Sequence, residues 1–231
     1  MEFNIEQYHL KSFLLFDYLS PGESKLIKSR LTRREFVKGE ALFRENSFSK
    51  GVYIVRKGKV KIFRINADGK QSIVYIYKKG DFFGYRPLLA DEPHPLSAIA
   101  IDHVVVSFLP REPFLNLMAK SSSFSQKIAT SLSKEFSVWV NKFTLFTQLG
   151  VKERVALSLL ILGKIYQTTG LAGRFGVITL NRDDFAGFVG TAKESLVRTL
   201  RIFKDEGYIT SKGTKIMIAK PKALVQIVES F

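Results

Sequence analysis

The sequence predicts an α+β chain in which an antiparallel β jelly roll precedes one long helix and a small helical domain with a β-hairpin. Three observations predict this fold class. Short β-rich runs separated by glycines fill roughly residues 36–109, bulky apolar residues follow at helical spacing within 132–146, and two capped helices precede a hairpin after residue 181. The chain of 231 residues is long enough for two domains, because single domains cluster at roughly 100–150 residues.

The jelly roll is predicted from four runs of strand length and composition, which cover residues 52–55, 60–65, 72–77 and 104–108. Asp68-Gly69, between the second and third runs, is typical of a two-residue hairpin turn because glycine tolerates a positive φ. Evenly spaced strands without intervening helices favour a jelly roll, which limits exposed edges by folding into two facing sheets. Residues 5–31 are expected to be helical, with a break at Pro21-Gly22.

The long helix carries one stripe of bulky residues at intervals of three and four: Leu132, Phe136, Trp139, Phe143 and Phe146. This face has two interpretations, packing on the chain's own β domain or the seam of a homodimer. The seam is favoured because polar neighbours, among them Lys134 and Glu135, would leave the other faces in water. Gly150 is the predicted hinge, so the predicted divisions are residues 1–120, 121–149 and 150–231.

The C-terminal division contains a helix-turn-helix followed by a hairpin. Asn181 is a predicted N-cap, and Thr191 with Glu194 three residues on predicts a capping box at the second helix. Gly190 lies in the turn between the two helices. Residues 208–211 and 215–218, joined by three residues, form the predicted wing.

Composition narrows the possible functions. With 36 basic and 21 acidic residues, the net charge of +15 indicates a polyanionic partner, either nucleic acid or anionic lipid. The absence of cysteine excludes disulfides, cysteine-ligated zinc and a cysteine-ligated iron–sulfur cluster. No window has the roughly 20 apolar residues of a membrane span, and no Walker, H-E-x-x-H or G-x-S-x-G motif occurs. We expect a cytoplasmic protein that is not an enzyme, has no membrane partner and binds no metal.

Residues 189–200, followed by 206–209, resemble the recognition helix and following turn of the cyclic-AMP receptor protein and fumarate–nitrate reductase regulator (Crp/Fnr) family. Residues 38–40, 53–58 and 80–84 are similar to that family's cyclic-nucleotide-binding-like jelly roll. The resemblance covers nearly the whole chain. It implies a homodimeric transcription regulator with a sensor domain over 1–120, a dimerisation helix and hinge over 121–149, and a winged helix-turn-helix DNA-binding domain over 150–231.

The implied partners are palindromic double-stranded DNA, a second copy of the chain and, for an activator, RNA polymerase. Two alternatives stay open. The first is a cyclic-nucleotide-type regulatory module that acts on a protein partner, and the second is a regulator that needs no ligand.

The recognition helix carries Lys193, Glu194 and Arg198 near its N-terminus, the end that enters a major groove. Arg or Lys reads guanine and Glu reads cytosine, so these residues suit base contacts; the alternative for Glu194 is the capping box. The family commonly has Ser-Arg-Glu where this chain has Ala192-Lys193-Glu194, so a hydroxyl is lost and a bidentate fork becomes a point charge. The predicted DNA-binding residues are Arg182, Thr191, Lys193, Glu194, Ser195, Arg198, Arg201, Lys212 and Lys215.

The effector pocket departs from the cyclic-AMP-binding members of the family. Tyr85 replaces their ribose-binding Glu, and Leu96-Ser97-Ala98 replaces their phosphate-binding Arg-Ser-Ala. Cyclic AMP is therefore disfavoured; Arg86 could supply the missing cation, although a surface role is favoured for it. The predicted pocket residues are Phe83, Gly84, Tyr85, Arg86, Leu96, Ser97 and Trp139. No cofactor is predicted, and an unknown small-molecule effector stays open.

A haem would need one of the three histidines, His9, His94 or His103, as its nitrogen ligand. His94 lies in a proline-rich loop beside the predicted pocket. A lone loop histidine is more often simply solvated, so haem is the less favoured interpretation.

Overall fold

The computed structural model describes residues 3–10, 19–167 and 175–230. The predicted loop around Gly170 and Gly173 lies outside these ranges. The chain divides into two compact units, one of residues 11–64 and 74–135 and one of residues 1–10, 65–73 and 136–231. The predicted division into 1–120, 121–149 and 150–231 stays a prediction.

The first unit is built on two four-stranded antiparallel sheets, with strand orders β1-β8-β3-β6 and β2-β7-β4-β5. This arrangement confirms the predicted jelly roll. The strands are β1 (Thr32–Phe36), β2 (Ala41–Phe43), β3 (Gly51–Lys57), β4 (Val60–Ile65), β5 (Gln71–Tyr77), β6 (Phe82–Phe83), β7 (Ser97–Ala100) and β8 (Val104–Pro110).

Among the described residues, four helices accompany these sheets: α1 (Pro21–Arg30), α2 (Arg86–Ala90), α3 (Arg111–Lys120) and the first half of α4 (Ser122–Gln148). Their apolar residues share one core with β3 and β8, which includes the fully buried Phe114, Phe124 and Ile128. Leu132, the first residue of the predicted stripe, packs against this core.

The predicted break at Pro21-Gly22 is wrong, because these two residues start a helix. Ser20 and Glu23 form a capping box in which the Glu23 amide donates to Ser20 Oγ and the Ser20 amide donates to the Glu23 carboxylate. Proline is favoured at the first helical position because its fixed φ suits a helix and its missing N–H is not needed there. Before it, only a 3₁₀ turn at Ile5–Gln7 is helical among residues 3–10.

The predicted two-residue turn at Asp68-Gly69 is also wrong in its length. The Asn66 amide donates to the Lys70 carbonyl over 3.0 Å, and the Lys70 amide donates to Asn66 Oδ1 over 2.8 Å. Gly69 has a φ of +74°, whereas Asp68 is not among the residues with positive φ. A three-residue loop needs only one glycine in the left-handed region, so this loop replaces the tighter turn.

The second unit contains the C-terminal half of α4 and a compact group of helices with a three-stranded sheet of order β10-β11-β9. Its elements are α5 (Val151–Ile165), β9 (Ile178–Thr179), α6 (Arg182–Val189), α7 (Lys193–Asp205), β10 (Ile209–Lys212), β11 (Lys215–Ile218) and α8 (Pro221–Glu229). Helix α5 is buried from Val155 to Gly163, so it forms the centre of the unit. Helix α8, which the sequence analysis did not identify, packs against α5.

Across the residues that the structure describes, no helix is both long enough and apolar enough to span a membrane.

Candidate nucleic-acid interface and effector cavity

Helices α6 and α7 and the turn between them form the predicted helix-turn-helix. The Asp184 amide donates to Asn181 Oδ1 over 2.7 Å, which confirms Asn181 as the N-cap of α6. Gly190 ends α6 with a φ of +70°, and its amide donates to the Ala186 carbonyl over 2.9 Å. A side chain at this position would be strained, so glycine allows the sharp turn into α7.

The predicted capping box at Thr191 does not form. Helix α7 begins at Lys193 with Ala192 as its N-cap, and no side chain caps it. The Thr191 amide instead donates to the Ala186 carbonyl over 3.1 Å, so Thr191 completes the end of α6. The Glu194 carboxylate is therefore not held in a capping box, and its side chain is exposed.

Helix α7 has two distinct faces. Leu196, Thr199, Leu200 and Phe203 are buried in the unit. Glu194, Val197, Arg198 and Arg201 are exposed, and at about 100° per residue they lie on the opposite side of the helix. A continuous reading face, two helical turns long, is thus presented outward.

Three further residues of α7 predicted to bind DNA, Lys193, Ser195 and Arg201, differ in their contacts. Lys193 lies at the edge of the reading face, with Nζ 2.9 Å from Asp183 Oδ1 in a solvent-exposed ion pair. Such exposed pairs contribute only about 0–1 kcal/mol, so a phosphate could replace the carboxylate at little cost. Ser195 is half-buried, and Arg201 Nε lies 4.0 Å from Asp205 Oδ2.

Arg182, which is predicted to bind DNA, also contacts the hairpin. Its Nη2 donates to the Gly213 carbonyl over 3.0 Å, which ties the start of α6 to the tip of the β10–β11 hairpin. Partial burial lowers the pKa of this guanidinium. Arg182 therefore positions the wing, while Lys212 and Lys215 pair across the hairpin on either side of Gly213-Thr214 and are exposed.

The β unit contains a cavity of about 230 Å³. Of the predicted effector residues, Phe83, Gly84, Tyr85, Arg86 and Leu96 line it, whereas Ser97 and Trp139 are not among its lining residues. The Ser97 hydroxyl accepts a hydrogen bond from the Glu45 amide over 3.0 Å, because β7 pairs with the strand that precedes Glu45.

A carboxylate that the sequence analysis assigned to a wet helix face lies next to this cavity. The Glu135 side chain is only 13% exposed. Tyr85 Oη donates to Glu135 Oε1 over 2.8 Å, and Arg86 Nε lies 4.0 Å from Glu135 Oε2. Burial raises the pKa of the Glu135 carboxyl. The Arg86 guanidinium lies close to this carboxyl group, so its charge is not directed only into the cavity. In the sequence, the one sign of this burial is that Glu135 directly precedes Phe136 of the apolar stripe.

His94 is the one histidine among the residues that line the cavity. Its ring stacks on Phe43, with the ring centroids 3.7 Å apart, and burial lowers the pKa of the imidazole to about 4. His94 is therefore neutral and held flat against a phenyl ring. The cavity is also smaller than the roughly 300–1,000 Å³ typical of pockets for drug-sized ligands.

The predicted stripe on α4 is not uniform. Phe136 and Phe143 are 70% and 72% exposed, and Val140 on the same side is 42% exposed. Trp139 and Phe146 are half-buried. The exposed stripe, meaning Phe136, Val140 and Phe143, is thus narrower than the predicted one and begins after Leu132.

One lysine lies on the inner side of α4. Lys142 Nζ lies 4.1 Å from the centroid of the Phe188 ring of α6, and burial lowers the pKa of its ammonium group to about 7. This contact joins the end of the long helix to the helix-turn-helix.

The fold and the exposed face of α7 are those of a DNA-binding regulator in which a jelly-roll domain precedes a helix-turn-helix domain. The sequence matches the family model of the cyclic nucleotide-binding domain over residues 33–121 and that of the Crp-like helix-turn-helix domain over residues 153–227. These matches cover well over half of the chain. The chain belongs to the Crp/Fnr family of transcription regulators, which are not enzymes.

Among its relatives, the fumarate and nitrate reduction regulatory protein of Escherichia coli is 26% identical over 195 residues, which cover 84% of this chain and 78% of that protein. The cyclic AMP receptor protein of Thermus thermophilus is 26% identical over 200 residues, which cover 87% of this chain and 89% of that protein. The structure of FixK2 from Bradyrhizobium japonicum superposes with a TM-score of 0.76 at 22% identity, over 85% of this chain and 96% of that one.

Proposed function

We propose that this chain binds palindromic duplex DNA as a homodimer and regulates transcription from that site. The observation that carries the proposal is the reading face of α7, where Glu194, Arg198 and Arg201 point outward opposite a fully packed inner face. A helix of this kind fits a major groove with its N-terminal residues against base edges. Because its proposed partner is the chromosome, we place the protein in the cytoplasm, with RNA polymerase as a further partner if it is an activator.

The reading face suggests a division of roles. Arg198 suits the O6 and N7 atoms of guanine, and Glu194, released from capping, suits the N4 amino group of cytosine. Lys193 at the edge of the reading face and Arg201 farther along it, with Lys212 and Lys215 on the wing, suit phosphates, which fix position rather than sequence. Arg182 contributes indirectly, because its hydrogen bond to the Gly213 carbonyl positions the wing.

The homodimer is supported by the exposed stripe on α4. Phe136 and Phe143, each about 70% exposed, form an apolar patch with Val140 of the kind that marks an interaction site on a protein surface. Pairing two copies of α4 along this stripe removes the rings from water. A two-fold axis along α4 then requires an operator with matching two-fold symmetry, with half-sites about 34 Å apart.

The effector, if one exists, is proposed to be a small uncharged molecule rather than cyclic AMP. A buried phosphodiester needs a cation, but Leu96 is apolar and Arg86 lies beside the Glu135 carboxylate. The cavity is small, and its aromatic walls include Phe43 and Phe83. A ligand shifts a conformational equilibrium only through its different affinity for the two states, so without binding there is no switching.

Light scattering of the protein with a palindromic duplex, combined with footprinting, tests this function. We expect two protomers per duplex and protection of two half-sites on one face of the DNA. A monomer that protects one asymmetric half-site contradicts the homodimer, and the absence of any duplex binding contradicts the function.

A further inference from the structure

Val197 is an apolar side chain on an otherwise charged reading face. It is 46% exposed, although it lies on the same side of α7 as Glu194 and Arg201. At about 100° per residue, Val197 lies about 60° from Glu194 and about 40° from Arg201 around the helix. It does not join the buried set of Leu196, Thr199, Leu200 and Phe203.

Helix propensity does not explain a valine here. A β-branched residue is a poorer helix former than alanine, lysine or glutamate, and nearly half of this side chain is in water. Val197 is the fifth residue of α7, so it lies in the first part of the helix, where recognition helices contact bases.

Only one group in the major groove suits such a side chain. Thymine carries a C5-methyl group there, whereas the other three bases have no methyl group and are distinguished in this groove by their hydrogen-bond donors and acceptors. On the basis of the proposed DNA-binding function, we propose that Val197 contacts a thymine methyl and specifies T at one position of each half-site.

The position of that thymine follows from helix geometry. Val197 lies three residues beyond Glu194, about 4.5 Å along the helix axis, while successive bases are about 3.4 Å apart on a strand. The thymine is therefore within two base pairs of the pair that Glu194 contacts.

Replacing thymine by deoxyuridine tests this contact, because uracil lacks only the methyl group. A duplex is first selected by the wild-type protein from a random pool, and each thymine is then replaced symmetrically in both half-sites. Fluorescence anisotropy should show one position at which deoxyuridine weakens wild-type binding about fourfold per half-site, or about fifteenfold for both, the loss expected for one buried methyl group.

Two variants assign the effect to this side chain. Val197→Ala should lose most of the discrimination between the thymine and deoxyuridine duplexes, because it lacks the two γ-methyl groups that reach toward the base. Ile202→Ala changes an apolar residue of α7 that is 41% exposed and about 140° away, so it should retain the full wild-type discrimination. Full discrimination by Val197→Ala, or no sensitive thymine in the wild type, overturns the inference while leaving the DNA-binding function intact. Failure of the wild type to select any duplex overturns the proposed function itself.

Discussion

Removing one ring from the exposed stripe on α4 should weaken the homodimer strongly. Phe143 is 72% exposed, and a phenylalanine buries roughly 200 Å² when fully covered, so about 140 Å² is available on each protomer. At about 25 cal/mol per Å², full burial would contribute about 3.5 kcal/mol per protomer and about 7 kcal/mol for the pair.

Phe143→Ala keeps the β-carbon, and an interface does not cover a ring completely. We therefore expect the variant to lose about half of the 7 kcal/mol of dimerisation free energy. A loss of about 3.5 kcal/mol raises the dimer Kd by two to three orders of magnitude. Sedimentation equilibrium over a wide protein concentration range measures this Kd directly.

Lys134→Ala provides the matched control. Lys134 is also exposed on α4, and nine residues of helix place it about 180° from Phe143. Its dimer Kd should stay within twofold of the wild type. Equal dimerisation by Phe143→Ala and the wild type would refute the assignment of this stripe to the dimer interface.

Four further predictions concern the reading face, the wing, the inner side of α4 and the cavity. Arg198→Ala should lose about 1–3 kcal/mol of affinity for the selected duplex and relax preference at one base pair per half-site. Lys215→Ala should weaken binding to all DNA sequences equally and reduce the slope of log K against log salt concentration by about one. An equal loss of affinity for all sequences in Arg198→Ala would make Arg198 a phosphate contact. Because burial lowers the pKa of Lys142 from 10.5 to about 7, the native state binds fewer protons than the unfolded state between these values, and the free energy of unfolding should rise with pH across that window. Lys142→Met should flatten this rise in denaturant titrations and Lys152→Met, at an exposed position on α5, should not; an unchanged slope in Lys142→Met would contradict it. Titration calorimetry should detect no cyclic AMP binding by the wild type, with Leu96→Arg as the gain-of-function control, and micromolar binding by the wild type would show that Arg86 or backbone amides replace the missing anchors.

The parts of the fold that the sequence predicted correctly are encoded locally. The strand at 60–65 and the N-cap at Asn181 depend on neighbouring residues alone, so composition and spacing suffice to predict them. Helix α7 was predicted from the helical spacing of its apolar residues, whereas its role as a recognition helix was implied by the resemblance to the family.

Two of the incorrect predictions concern helix ends, where two adjoining segments compete for the same backbone amides or caps. Thr191 and Glu194 have capping-box spacing, but the end of α6 uses the Thr191 amide, so the cap moves to Ala192. Proline at position 21 predicts a break, but the Ser20 cap makes Pro21 the start of a helix.

The candidate site was predicted less completely because it depends on long-range packing. Glu135 is 50 residues from Tyr85 in sequence, and only the folded unit brings the carboxylate to the phenol hydroxyl. The Ser97 hydroxyl likewise accepts from the amide of Glu45, which is 52 residues earlier in the chain. Val197 was not predicted as a base contact, because an apolar side chain has no hydrogen-bonding group that pairs with a base edge.

Selection of duplexes from a random pool, followed by sequencing, tests the central claim most directly. A homodimer that reads DNA with α7 should enrich an inverted repeat whose half-sites are centred about one helical turn apart, and Arg198→Ala should enrich the same repeat with one symmetric pair of positions relaxed. Enrichment of a single asymmetric motif, or of no motif at all, would contradict the account.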